Sequence, residues 1–446
     1  MELFAYQTAG RDWLASRNRA LLWDEQGVGK SAQIISAADK VGALDVLVIC
    51  PAGVRAHWVA EWRRWQKVER KIAAPVKAAE FGQHPSGVLI VSYEGATARQ
   101  TLLAQRRWDC VIIDEHHYLK SHTAARTKAI LGRGEGIIHS TKRVWALSGT
   151  PMPNSPEELW TILATICPEA IIDGNTGKVL SRWQYIYQYC NVVQTRYAKE
   201  IKGGKNLGEL AKCLQPHVLR RKKAQVLSDL PPMVWGTMEL DIDLGLDSDD
   251  ERLQSLLKVA AALDAQGGDA KGATLDNIEA EHIARALRFL GTLKAPVVAD
   301  LVADELEGGA QKIIIGYWHQ DVGDVLAKRL AEYGCVRVDG SSTPKARAAA
   351  IDAFQTLPGV RVFLGQIKAA GTGINLTAAS QVVMAEQSWV PGDNAQFSSR
   401  PHRVGQKNSV LVRVPVVPGS LDERVSGVLA RKTQDIGAVV DGATNQ

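Results

Sequence analysis

No Cys-x-x-Cys pair occurs in this chain. Its six cysteines, Cys50, Cys110, Cys167, Cys190, Cys213 and Cys335, lie far apart. Neither a disulfide framework nor a thiolate zinc site is suggested, and isolated thiols in a reducing compartment are expected. No apolar run approaches the roughly 20 residues that span a bilayer, so no membrane association is expected. The Met-Glu-Leu-Phe start carries no basic n-region, which makes the cytoplasm the expected compartment, or a host-cell cytoplasm or nucleoid for a viral or bacterial chain. No internal repeat is evident, so a solenoid is not expected.

What is present is an ordinary globular composition of 446 residues, 46% hydrophobic and 23% charged. The net charge of +5 and pI near 8.8 suit a polyanionic partner without requiring one. At roughly 150 residues per domain, the length allows about three units, or two large lobes with helical insertions. Short apolar runs alternate with helix-like stretches: Val46–Cys50, Val88–Ser92, Cys110–Ile113 and Arg143–Leu147, then Lys312–Gly316, Val336–Val338, Arg361–Leu364, Gln381–Ala385 and Val410–Val414. This pattern predicts an α/β fold with two parallel sheets in tandem. Asp229-Leu-Pro-Pro-Met233 reads as a linker because paired prolines stop helices. Asp247–Glu251 is acidic, Ala260–Gly272 reads as an exposed loop, and Glu279–Leu290 reads as helix. The expected boundaries are 1–230, a linker and helical insertion over 231–300, and 301–446. The end from Val439 is expected to fray.

The segment Leu22-Trp-Asp-Glu-Gln-Gly-Val-Gly-Lys-Ser31 carries the strongest local signal. Gly27 and Gly29 let a turn approach phosphate oxygens, and the following helix N-terminus faces the anion. Lys30 would neutralise the outer phosphates of ATP, and Ser31 would ligate magnesium. Asp24 departs from the generic phosphate loop, which wants glycine there. Val111-Ile-Ile-Asp-Glu-His-His117 supplies the other half: an apolar strand ending in two acids, at the sheet edge where such folds bind ligands. Asp114 would hold the magnesium and Glu115 would polarise the attacking water. His116 and His117, adjacent on a turn, would point apart, and no cluster accompanies them, so zinc is not expected.

Read together, these residues resemble helicase superfamily two and, within it, the SWI/SNF-like DNA translocases, over nearly the whole chain. Tyr6-Gln-Thr-Ala-Gly-Arg-Asp-Trp-Leu14 resembles the family's Gln motif, which implies that Gln7 reads adenine. Asp24–Ser31 matches the family's DExGxGK[ST] loop and accounts for Asp24. Leu47–Pro51 with His57-Trp58 resembles motif Ia, Asp114–Lys120 the DEAH-like motif II, and Leu147–Pro151 motif III, which couples the lobes. Val338–Ser342 resembles the turn after motif IV, Ala369–Asn375 motif V, and Gln396–Gln406 the QxxxRxHRxGQ of motif VI. The annealing-helicase, fork-remodelling branch is similar at Gly204–Leu210, Leu219–Leu227, Leu293–Pro296 and Ala385-Glu386. Ala52-Gly53 and Ser399 depart from the family pattern.

The resemblance implies two RecA-like lobes that hydrolyse ATP and walk on DNA. Gln7, Gly27, Gly29, Lys30, Ser31 and Asp114 would bind ATP and magnesium, with Lys30, Asp114, Glu115, Arg400 and Arg403 in catalysis. The two arginines would come across the cleft as fingers. Nucleic-acid grips are expected at His57, Trp58, Lys120, Lys368 and Thr372, through backbone contacts without sequence preference. Trp58, Trp62 and Trp65 share one helical face, which reads as a packing stripe against the sheet rather than a base-stacking surface. Arg220-Arg-Lys-Lys223 either touches DNA or solvates a helix end. The expected partner is double-stranded or branched DNA, with a protein recruiter and a monomeric, bare motor: about 40 residues follow motif VI, room for one or two elements. The alternatives are an RNA or single-strand helicase, and an ATP-gated clamp with little turnover.

Overall fold

The apolar runs of the first half become neighbouring strands in the computed structural model, which describes residues 2–77, 80–81, 86–194, 199–242, 280–371 and 374–443. In chain order they are β1 (Arg19–Leu22), β2 (Val46–Cys50), β3 (Ile72–Ala73), β4 (Val88–Ser92), β5 (Cys110–Asp114) and β6 (Arg143–Leu147). Then come β7 (Cys190–Gln194), β8 (Lys199–Gly204) and β9 (Val218–Leu219). Seven of them form one sheet in the order β3-β4-β2-β5-β6-β1-β9, every pair parallel. The other two, β7 and β8, make an antiparallel hairpin. A parallel sheet covered on both faces needs apolar side chains on both sides of each strand, which is why these strands read as continuous runs. Leu47, Ile49, Val111 and Ile113 enter one core, and Val46, Val48, Cys110 and Ile112 the other.

The second sheet repeats the scheme. Its strands are β10 (Met233–Glu239), β11 (Ile313–Tyr317), β12 (Cys335–Val338), β13 (Val362–Gln366), β14 (Gln381–Met384) and β15 (Val410–Val416). Their order is β10-β15-β14-β11-β13-β12, again all parallel. Ile313 and Ile315 face one core, and Ile314 and Phe363 the other.

The chain divides into two compact units, Met1–Ser228 with Lys432–Gln446, and Asp229–Arg431. This differs from the boundaries expected from the sequence in two places. The stretch after Pro231-Pro232 is β10, registered on β15 from Met233↔Val410 to Glu239↔Val416. An edge strand tolerates the preceding prolines because nothing demands their amides. The expected helix at Glu279–Leu290 is the start of a longer one, Ala280–Glu307, with Pro296 inside it. At the other end, Val439, Val440 and Ala443 are buried in the first unit's core rather than frayed. The acidic stretch Asp247–Glu251 and the loop at Ala260–Gly272 lie outside the described residues. The six cysteines are free thiols, four of them buried. Among the described residues no helix is long and apolar enough to cross a membrane.

Three helices of the first unit frame the site: α1 (Ala5–Ala15), α2 (Lys30–Lys40) and α3 (Arg55–Trp65). The end of α2 is anchored by a buried ion pair. Arg70 Nη1 lies 2.5 Å from Asp39 Oδ1, with side chains 1% and 9% exposed, and Arg70 Nε donates to Ala43 O at 2.7 Å. Asp39 Oδ2 also accepts the Lys67 amide at 2.6 Å. Removing one member of such a pair strands a buried charge. Asp39→Ala should therefore destabilise the first unit by about 3–5 kcal/mol in denaturant unfolding; a loss under about 1 kcal/mol, the size of an exposed pair, would contradict this.

Candidate nucleotide site

The chain leaves β1 at Leu22 and turns through Trp23–Gly29 into α2. Gly27 and Gly29 hold φ of 83° and 79°, a region that favours glycine. Gly29 is required a second time, since a Cβ there would stand 2.3 Å from Gln7 Nε2. Gln7, on α1, is buried beside the loop: its Oε1 accepts the Phe4 amide at 3.0 Å and its Nε2 donates to Val28 O at 3.4 Å. Lys30 opens α2 and folds back over the turn, its Nζ donating to Asp24 O at 2.8 Å and Glu25 O at 3.2 Å. Burial pulls this ammonium below its ordinary pKa, while Glu115, Asp24 and Asp114 pull it back up. Ser31 follows in the first turn of α2, half-buried.

Asp24 is fully buried, and its carboxylate is spent inside the protein. Oδ1 accepts Arg221 Nε at 3.0 Å, and Oδ2 accepts Arg221 Nη2 and Gln33 Nε2, the latter at 3.0 Å. Arg221 also donates to Tyr6 O on α1 and to Gln33 Oε1 on α2. One guanidinium thus ties the loop to both helices. Arg220 donates to Trp23 O at 2.7 Å, and the Lys223 amide to Glu25 Oε2 at 2.8 Å. Within the run Arg220–Lys223, Arg220, Arg221 and the Lys223 amide are turned to the protein, while Lys222 is half exposed at the start of a short helix. The inward-turned groups clamp the phosphate loop.

Asp114 ends β5 opposite Leu147 of β6. Its Oδ2 accepts Trp58 Nε1 at 2.7 Å. Glu115 follows with φ 53° and ψ 53°, a left-handed conformation that costs a non-glycine residue about 1–3 kcal/mol and persists where the surroundings enforce it. The enforcing contacts are visible. Tyr93 Oη donates to Asp114 O at 2.7 Å, and Ser148 Oγ donates to Glu115 Oε2 at 3.0 Å. His117 Nδ1 lies 3.0 Å from that hydroxyl and 3.3 Å from the carboxylate. Ser148 Oγ accepts the Thr150 amide at 3.1 Å, so the Leu147–Pro151 turn reports directly on Glu115. Burial and the charge of Glu115 raise Asp114 above the usual carboxylate range, against Trp58, Lys30 and His117. Glu115 is buried too, but His117, Lys30 and Ser148 outweigh that and hold it ionised. His116 turns the other way and accepts Trp23 Nε1 at 2.8 Å; burial pushes its pKa down to about 3, so it stays neutral.

In the second unit, Arg400 is 3% exposed, and its guanidinium donates to Ile374 O at 3.3 Å and to Gly371 O. Those two bonds brace the ends of the motif V turn, where buried carbonyls need a donor. Arg403 is half-buried. Gln406 Nε2 donates to Ala379 O at 2.7 Å, and His402 Nε2 lies 2.7 Å from Pro231 O, so much of this motif is structural.

The expected nucleic-acid residues separate. His57 and Lys368 are exposed. Lys120 is exposed and paired with Glu158 at 2.6 Å. Thr372 lies outside the described residues. Trp58 is corrected: at 1% exposure it packs with Trp62 in the core behind the sheet and gives its one N–H to Asp114, as the packing reading of the tryptophan stripe expects. Sequence reasoning missed Arg220, Arg221 and the hydroxyl of Ser148. The signals for the first two were the four-residue basic run after the apolar Val218-Leu219 and the family resemblance over Leu219–Leu227, and neither pointed to the phosphate loop.

A family model described as the SNF2-related domain matches residues 6–249, and one described as the helicase conserved C-terminal domain matches residues 294–405. The DNA annealing helicase and endonuclease ZRANB3 of Mus musculus is 29% identical over 463 residues, covering 99% of this chain and 41% of that protein. The SWI/SNF-related matrix-associated actin-dependent regulator of chromatin subfamily A-like protein 1 homolog of Caenorhabditis elegans is 30% identical, covering 98% and 62%. The chain thus spans about half the length of these curated relatives. Among solved structures, the Sulfolobus solfataricus SWI2/SNF2 ATPase core in complex with dsDNA is similar with a TM-score of 0.46 at 21% identity, covering 99% of this chain and 97% of that one.

The Trp58 geometry is testable. Trp58→Phe keeps a ring in the core and deletes the N–H that Asp114 accepts. ATP turnover should fall about tenfold or more, the weight of one hydrogen bond to a charged group, with DNA affinity unchanged. Lost DNA affinity with full turnover would restore Trp58 as a surface contact.

Proposed function

The chain belongs to the SNF2-related family of helicase-like, DNA-dependent ATP hydrolases, and from that premise we propose that it is an ATP-driven translocase on double-stranded or branched DNA. The observation that carries the reading is the meeting of three sequence-distant pieces on one sheet edge: the Lys30 loop, the Asp114-Glu115 pair and the Ser148 turn. A Cβ on Gly149 would stand 3.2 Å from Lys30 Nζ, so the third piece lies against the first. The branched-DNA element is supported by the mouse relative, named a DNA annealing helicase; remodelling DNA or displacing bound proteins is the work we assign to the motor.

The chemistry follows from the residues. The N–H groups at the start of α2 and Lys30 receive the phosphates of ATP. Gln7, held beside Gly29, reads the base. Ser31 and Asp114 offer the hard oxygen donors that suit magnesium, which takes few protein ligands and leaves room for phosphate oxygens and water. Bound there, it supplies charge neutralisation to the phosphate oxygens. Glu115, kept ionised by His117 and Ser148, orients the attacking water. Phosphoryl transfer is mostly positioning and charge stabilisation, and Arg403 is the guanidinium we assign to the transferring group. Arg400 is assigned to holding the motif V turn instead. His57, Lys120 and Lys368 are assigned to the phosphate backbone, where contacts are salt-sensitive and indifferent to sequence.

The test is an ATPase panel at one salt concentration with duplex DNA, forked DNA, single-stranded DNA and RNA. Duplex or forked DNA should stimulate most. Lys30→Ala and Glu115→Gln should abolish turnover, and Arg403→Ala should keep ATP affinity while losing about 10³-fold or more in rate, as for a phosphate-facing arginine. Strongest stimulation by RNA would favour an RNA helicase. Turnover unchanged in Glu115→Gln would leave only an ATP-gated clamp.

A further inference from the structure

The entrance to the phosphate loop is fixed along one side by residues 219–223. The Trp23 amide donates to Leu219 O at 2.8 Å and the Glu25 amide to Arg221 O at 3.0 Å, continuing the β1–β9 ladder past the strands themselves. Arg220 supplies the remaining tie through Nη1 to Trp23 O at 2.7 Å. Its side chain is only 10% exposed, and its other two nitrogens face outward from that bond onto a single carboxylate. Asp441 Oδ1 accepts Arg220 Nε at 3.3 Å and Nη2 at 3.1 Å, while Lys222 Nζ lies 2.8 Å from Oδ2.

Asp441 comes from far along the chain, just past the helix Leu421–Val440. Its backbone is held independently of Arg220. Val439, Val440 and Ala443 are buried in the first unit's core, and the Asp441 amide donates to Gly437 O at 3.0 Å. A Cβ on Gly442 would stand 2.5 Å from Ala438 O and 3.0 Å from Ala211 Cβ, so the chain is closely packed here. The carboxylate is therefore presented on a rigid base, and it sets the plane of the Arg220 fork.

We propose that Asp441 is a positioning residue for nucleotide binding: it orients Arg220, which holds the Trp23 carbonyl and with it the entrance of the phosphate loop. An arginine fork has a fixed donor geometry, so fixing two nitrogens fixes the third. Without the carboxylate, a nearly buried guanidinium either stays unpaired or swings toward water and leaves the Trp23 carbonyl. In both cases the loop loses preorganisation before any chemistry starts. Asp441 touches none of the reacting groups, so the effect falls on nucleotide affinity and not on the rate at saturation.

This inference rests on the nucleotide reading of the loop, and the experiment separates the two. ATP affinity is measured by equilibrium titration, and KM and kcat for ATP with saturating duplex DNA, for the full chain and for Asp441→Asn, Asp441→Ala, Asp441→Glu and Asp435→Ala. Asp435 is the control: it lies on the helix that precedes Asp441, in the same unit, and its Oδ2 accepts the Gly204 amide at 2.9 Å. Asp441→Ala and Asp441→Asn should weaken ATP binding and raise KM about tenfold, the weight of one charge-assisted hydrogen bond, with kcat nearly unchanged. Asp441→Glu should recover part of the affinity. Asp435→Ala should lower the melting temperature without moving ATP affinity. Unchanged affinity in Asp441→Ala and Asp441→Asn, or an equal loss in Asp435→Ala, would overturn the proposal. An unsubstituted chain that binds no ATP would overturn both this and the reading of the loop.

Discussion

A carboxylate with no access to water sits at the start of the phosphate loop, and the arrangement of the site depends on what neutralises it. Asp24 is fully buried, and Arg221 meets it with two nitrogens while reaching the backbone of α1 and the side chain of Gln33 on α2. Burying a charge is tolerable only when it is paired and hydrogen-bonded. Here the pairing has a geometric consequence. The loop cannot take up its shape unless residues 219–223, α1 and α2 are all in place, so a nucleotide pocket and a folded first unit become nearly the same event. The generic phosphate loop has glycine where this chain has Asp24; the acid exchanges backbone freedom for an anchor.

The acids at the end of β5 obey the same logic on the other side of the pocket. Two adjacent carboxylates in a desolvated place repel each other, and the protein divides them between different partners. Trp58 and the neighbouring charge of Lys30 attend Asp114, while His117 and Ser148 attend Glu115. The backbone turns left-handed at Glu115 as the chain leaves β5. That division is what the proposed hydrolysis needs, one acid for a cation and the other for a water molecule, and the Ser148 turn is connected to the second by a single hydroxyl.

Much of this was legible in the sequence. The central strands of both sheets are continuous apolar runs because both faces are covered, so β2, β4 and β6 fall where the runs fall. β3 and β9 have two residues each and carry no periodicity to read. β10 is an edge strand with no fully buried position, and it follows two prolines that read as a linker. Within the site, Lys30, the glycines, Asp114 and Glu115 announced themselves by spacing. Their supporting partners did not, because Trp58 and Asp114 are 56 residues apart and Arg221 and Asp24 are 197 apart, and spacing carries no information over such distances. Arg400 illustrates a third limit: a motif names a residue and not the partners of its side chain, and the Ile374 and Gly371 carbonyls that its guanidinium meets are not readable from spacing.

The most direct test of this account is a double-mutant cycle on ATP affinity for Asp24→Asn and Arg221→Met. If the pair is the anchor of the loop, each single change weakens ATP binding, and the double variant is no worse than the poorer single, giving a coupling energy of about 1–3 kcal/mol. Losses that simply add would show that Asp24 and Arg221 act separately, and the buried pair would no longer explain the site.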